Sequence, residues 1–289
     1  VATKPRQLLS ELLREIDLTG ALFVVVEGPT DKAFYRQWLT GKFGGELPAA
    51  VSVESVDAID VESSEVQALG LPSGARSTVM YVASAAHAQN TNIRCVADRD
   101  AGHHVERFAI PTLLWTDYPA LESYLFFDGG LDLLNQNALG ERLPAGSDLV
   151  QLMAPVLKQL FLVRVSNEAL PSPNIAKAVD SVKAKKLANS TWFDLSKAVR
   201  PGTPFPSDPI PEPAGPPDPR AYAYGHDIAE LLLSLYGNEI KNGAKVPHQE
   251  ALELSMRFCL LVGGVLDGTP LGTQLLSWCR GAMGVASGA

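Results

Sequence analysis

The hydrophobic pattern divides the chain into a half where strands and helices alternate and a half that is helical. Leu8, Leu9, Leu12, Leu13 and Ile16 recur at helical spacing and predict a leading amphipathic helix over 6–18. Residues 21–26 run apolar without polar alternation, as a strand buried on both faces does. Gly28 and Pro29 break that strand. Thr30 or Asp31 is suited to cap a helix from Lys32, with Ala33, Phe34, Trp38 and Leu39 as its apolar stripe. Val51, Val53, Val56, Ile59 and Val61 alternate with polar residues, predicting a second, less buried strand with a break near Ser55. Residues 62–74 are polar with a turn at 72–74, and 75–89 read as a helix packing through Val79, Met80, Val82 and Ala86. A short strand at 92–98 ends in acids, another follows at 110–116, and from Asp117 a helix opens with Pro119 at its first position.

This alternation predicts an α/β fold: a Rossmann-like, mostly parallel sheet flanked by crossover helices. Beyond 128 the pattern gives helices at 131–139, 149–165, 174–187, 226–236, 249–262 and 271–279, and no strand. The expected organisation is a catalytic domain over 1–128 and a C-terminal helical domain over 129–289. Nine of the 21 prolines lie within 201–219, too dense for helix or sheet and suited to an extended loop.

Composition narrows this picture. With 289 residues, 46% hydrophobic and 19% charged, the chain can bury a sizeable core as one large domain or two small ones. A net charge of -8 excludes a surface that is basic everywhere, so any groove for a nucleic-acid backbone must be a local patch. Lys4, Arg6, Glu11, Arg14 and Glu15 interrupt any leader-like run. The longest uninterrupted apolar stretch, 258–266, is shorter than a membrane span. Cys95, Cys259 and Cys279 are too widely spaced for a disulfide framework or a zinc site. A cytoplasmic location without a membrane partner is expected.

Candidate chemistry sits at the strand ends. Glu27 ends the first buried strand, and the carboxyl edge of an open α/β sheet is where ligands collect. Asp98 and Asp100, one residue apart, would point the same way at a strand end, roughly 6–7 Å apart. Glu122, with Asp117 just before it, follows the next strand. Each acid alone is as readily a helix cap or first-turn residue. Three junctions delivering acids to one rim are costly unless a cation neutralises them. Mg²⁺ binds through a few carboxylates, keeps water, and accepts phosphate oxygens.

The run Val26-Glu27-Gly28-Pro29-Thr30-Asp31 with Phe34-Tyr35, and Ala97-Asp98-Arg99-Asp100, resemble the motifs of the Toprim domain of topoisomerases, primases and OLD-family nucleases. Asp117-Tyr118-Pro119-Ala120-Leu121-Glu122 resembles the later acidic motif of OLD-type nucleases. Tyr224-Gly225-His226-Asp227-Ile228 resembles an element of a small bacterial Toprim-like family that includes nuclease partners of ABC-type ATPases in anti-phage systems. The resemblance covers 20–128 well and the remainder loosely. It implies Mg²⁺ (or Mn²⁺)-dependent cleavage of phosphodiesters in DNA or RNA, tRNA included, under the control of a separate ATPase, with a homodimer among the assemblies it allows. It implies Glu27 as general acid/base or metal ligand, Asp98 and Asp100 as catalytic metal ligands, and Glu122 as ligand for a second ion. Where topoisomerase-type motifs continue with a third acid, Ala101-Gly102-His103-His104 follows here, which leaves one ion or two open. The alternative is a non-catalytic Toprim-fold subunit of an ATPase complex.

Other residues carry less. Gly28–Lys32 lacks the spacing and the Gly-Lys-Ser/Thr ending of a phosphate loop. Lys32, Arg36, His103 and His104 are candidates for meeting substrate phosphate, each also explained as a solvated helix or loop residue. Lys183, Lys185 and Lys186 form a basic run best read as a solvated face, and Asp227 reads as a helix cap.

Overall fold

A computed structural model describes residues 6–89, 92–167, 173–185, 192–203 and 218–282. In chain order the elements are β1 (Gln7–Leu8), α1 (Leu9–Thr19), β2 (Leu22–Val26), α2 (Pro29–Lys42), β3 (Val51–Ser55), β4 (Ile59–Asp60), α3 (Ser63–Ala68), α4 (Ala75–Gln89), β5 (Ile93–Ala97) and β6 (Leu113–Trp115). Then come a 3₁₀ turn (Leu121–Leu125), α5 (Asp128–Asn137), α6 (Gly146–Ser166), α7 (Ile175–Ala178), α8 (Ser181–Lys185), α9 (Leu195–Ala198), α10 (Gly225–Gly237), α11 (Gln249–Val262) and α12 (Pro270–Ala282). The chain forms two compact units. The first joins Val1–Asp98, His104–Asp117 and Leu266–Ala289; the second joins Arg99–His103 and Tyr118–Val265. The division is therefore not a single cut after residue 128, because the last helix belongs with the sheet.

In the first unit four parallel strands lie in the order β3-β2-β5-β6. Every residue of β2 is buried, as its unbroken apolar run predicts, while β3 alternates buried and half-buried positions as an edge strand does. Strand parity sorts the core into two faces. Phe23, Val25, Ile93, Cys95 and Ala97 share a cluster with Leu9, Leu12, Leu13 and Ile16 of α1 and Val79, Met80, Val82, Ala83 and Ala86 of α4. Each large apolar side chain buried there contributes about 1.5–3 kcal/mol of transfer free energy. On the other parity lie Leu22, Val24 and Val26. Arg94, the register partner of Val24, holds its guanidinium 5.0 Å from the centre of the Trp278 ring on α12. α2 buries Phe34, Tyr35, Trp38 and Leu39, and is tied to the approach to α12 by Trp38 Nε1 donating to Asp267 Oδ1 at 3.0 Å.

Local expectations were displaced where distant contacts intervene. The leading helix starts at Leu9 because Gln7 and Leu8 pair in parallel with Ile59 and Asp60. α2 starts at Pro29, its first position, with Gly28 as N-cap. Asp31 closes the turn by accepting from Gly28 N at 3.0 Å. The break near Ser55 is real: a 3₁₀ turn over Val56–Ala58 separates β3 from β4. Residues 62–74 hold a short helix, α3, and are not merely a turn. Pro119 does not open an α-helix; Ala120 caps a 3₁₀ turn, its N–H held by Ser123 Oγ at 2.9 Å.

The second unit is helical. The stretch 174–187 is broken into α7 and α8 where Val179 bridges Phe193; Lys186 and Leu187 lie outside the described residues, as does most of the proline-rich 201–219 segment. α6 is, among the described residues, the one helix long and apolar enough to cross a membrane by length and composition. Runs of uninterrupted apolar residues missed it because Asp148, Lys158 and Arg164 punctuate it. It buries Leu149, Met153, Val156, Leu157, Leu160 and Val163 within the unit. The three cysteines are free and buried.

Candidate functional site

The sheet order fixes where chemistry can gather. From β2 the chain moves outward to β3, then returns past β2 to β5, so the direction of winding reverses between β2 and β5. Beyond the carboxyl ends of two such strands lies the crevice in which open parallel sheets bind ligands. Glu27 immediately follows β2, and Asp98 immediately follows β5. Glu27 Oε1 accepts a hydrogen bond from Asp98 N at 2.9 Å, and both residues are half-buried. The two junctions named from sequence are thus adjacent, and the Glu27 carboxylate is oriented by the backbone that carries Asp98.

The outer strands end in acids too. Glu54, at the end of β3, accepts from Lys32 Nζ at 2.6 Å. Asp117, beyond β6, accepts from Leu271 N at 3.3 Å and so holds the start of α12. Across the sheet Glu54, Glu27, Asp98 and Asp117 each stand at the end of one strand. Sequence reasoning passed over Glu54, although the alternation of Val51, Val53 and Ser55 on the buried side already leaves it outward. Lys32, a candidate for substrate phosphate, has its ammonium engaged by Glu54. Arg36, one turn on, is exposed.

Asp100 departs from the strand geometry assumed for it. β5 ends at Ala97, and Asp100 has a φ of 47°, in the left-handed region. Alternation along a strand therefore does not set its direction relative to Asp98. Within the second unit its N–H donates to Pro119 O at 2.9 Å, and a short polar side chain tolerates this backbone. His103 is exposed with Nε2 3.3 Å from Arg164 O. His104, in the first unit, lies half-buried with its ring edge-on to Phe108 at 6.4 Å.

Glu122 is buried in the second unit, 3% exposed, and accepts from Arg257 Nε at 2.5 Å. It packs against Gly225, where a Cβ would come within 2.5 Å of Glu122 Oε2. The Gly-His-Asp element around Gly225 forms the rest of this polar seam. Asp227, 2% exposed, receives Arg164 Nε at 3.2 Å and a terminal Arg164 nitrogen at 2.6 Å, so it is an ion-pair partner and not the cap expected from sequence. The Arg164 guanidinium lies 4.2 Å from the centre of the Tyr224 ring. Burial pushes the Asp227 carboxyl up against the pull of Arg164. His226 Nδ1 is 2.7 Å from Glu253 Oε1, a contact that raises the imidazole pKa.

Among the described residues no three His, Cys, Asp or Glu side chains converge into a ready metal cage. Glu27 and Asp98 nonetheless offer hard oxygen donors of the kind Mg²⁺ takes one or two of, with water and substrate oxygens completing its shell. Fold and site together define an α/β protein with a parallel sheet flanked by helices and acids at its winding reversal. A scan against protein-family models finds no match to the chain, and a search of curated proteins finds none either.

Proposed function

We propose that the chain is a Toprim-type, Mg²⁺- or Mn²⁺-dependent nuclease, cutting DNA or RNA as an effector of bacterial anti-phage defence under a separate ATPase. The observation that carries this reading is the Glu27 carboxylate held by Asp98 N–H at the winding reversal of the sheet. A bound divalent ion would supply charge stabilisation and a more acidic water. Glu27 is suited to orient or accept a proton from that water, its position fixed by the Asp98 backbone. Asp98 would supply a carboxylate for the ion.

A second reading is favoured by two ion pairs: Lys32 with Glu54 and Glu122 with Arg257 tie up groups that a nuclease would turn to substrate or metal. In it the chain is a non-catalytic subunit of an ATPase complex. Purified protein, alone and with a candidate ATPase, is incubated with DNA and RNA plus Mg²⁺ or Mn²⁺. The nuclease reading expects cutting that falls about 100-fold or more in Glu27→Ala and Asp98→Ala. It fails if nothing is cut, or if the variants cut as well as the parent. Thermal stability gives a separate readout: metal at about 100 times its Kd adds about 2.7 kcal/mol, and Asp98→Asn with Asp100→Asn abolishes the gain.

A further inference from the structure

Away from the strand ends, the first unit carries a groove of about 370 Å³ between α2 and α12. Trp38 and Lys42 contribute from α2, and Asp267, Thr273, Ser277 and Arg280 from the α12 side. Thr273, Ser277 and Arg280 follow one another at i, i+4 and i+7, so two hydroxyls and a guanidinium share one helix face. Asp267 pairs with Lys42 and also receives Trp38 Nε1, which pins the Lys42 ammonium at the groove and cancels one of its two positive charges. Arg280 has no hydrogen bond or ion pair with any described residue, and the same holds for the Thr273 and Ser277 side chains. Among the described residues the groove thus has one cation without a counter-charge, spare ammonium and hydroxyl donors, and an apolar flank of Trp38 and Leu276.

We propose that this groove binds a small organic phosphate of mononucleotide size. Its volume falls near the lower end of ligand pockets, about 300–1,000 Å³, which suits a mononucleotide and not a duplex. A guanidinium with an ammonium and hydroxyls is the donor set that phosphate recognition uses. Nothing in this inference depends on the nuclease reading.

The test is calorimetric titration of the intact protein with AMP, inorganic phosphate and adenosine. AMP is expected to bind, inorganic phosphate to compete with it, adenosine to bind at least about tenfold more weakly, and rising salt to weaken binding. Arg280→Gln should cost about tenfold in AMP affinity. Gly281→Leu is a second block: Gly281 lines the groove, and a Cβ there meets nothing within 4 Å. The proposal is overturned if no phosphate-bearing probe binds at millimolar concentration. It is equally overturned if adenosine binds as well as AMP, or if both variants bind AMP like the parent.

Discussion

Replacing Asp227 by alanine would leave the Arg164 guanidinium, only 14% exposed, stacked on Tyr224 without its carboxylate. A buried charge stripped of its partner costs about 3–5 kcal/mol, whereas replacing both partners by apolar residues of similar volume is close to neutral. Urea unfolding should therefore find Asp227→Ala severely destabilised and the double variant Asp227→Leu/Arg164→Met largely restored. The upward push on the Asp227 carboxyl agrees: burial outweighs the pull of Arg164, so the pair does not fully offset the desolvation of the carboxylate. His226 and Glu253 act through pH. The hydrogen bond to Glu253 raises His226, so its contribution is full below about pH 6.5 and is lost as pH rises through the folded pKa. Burial alone would raise Glu253, but bonds from His226 and Gln249 outweigh it and hold its carboxyl low. That contribution is present above about pH 4.5 and lost as pH falls through the lowered value. Thermal stability of the parent minus that of Glu253→Gln should be largest between these limits, and small, because the His226 side chain is 61% exposed. Glu27 and Asp98 were readable from sequence because each directly follows an apolar strand. The Arg164–Asp227 pair was not, since its partners stand 63 residues apart and nothing local couples them.

At the scale of the element, α10 owes its starting geometry to Gly225. A Cβ there would stand 2.5 Å from Glu122 Oε2 and 3.2 Å from the Cβ of Ala120. Gly225→Ala is expected to destabilise by roughly 1–3 kcal/mol despite the better helix propensity of alanine, as overpacking of a closed contact does. A urea midpoint at or above the parent's would contradict the contact. Element types were largely legible: α4 and α11 have the bounds their apolar spacing predicts, and β2 reads as buried on both faces because it is. What the pattern could not carry is where an element is stopped by something far away. Gln7 and Leu8 are drawn from helix into strand by β4, and the helix expected over 174–187 breaks where Val179 meets Phe193. The first break comes from a pairing 52 residues along the chain, which a window of 18 residues does not contain. The second, only 14 residues apart, is a single antiparallel bridge with no strand run on either side for alternation to mark.

At the scale of the whole molecule, the unit that holds the sheet is assembled from three separated segments, and the helical unit is threaded between them. A chain ending at Val265 would lose the buried Leu271, Leu275 and Cys279 and the partners of Trp38, Arg94 and Asp117. The loss is expected to reach roughly 5 kcal/mol, comparable to the total stability of a typical domain. Circular dichroism and urea titration of that truncation should find no cooperative transition from the sheet unit. The return of α12 also bears on how the protein is made. The strands leave the ribosome by residue 117, yet the helix that completes their second face begins at residue 270. At about 5–20 residues per second the interval lasts roughly 7–30 s. Throughout it the nascent sheet presents part of an apolar face to water. Synthesis therefore sets a waiting time between the last strand of the sheet and the helix that closes its second face.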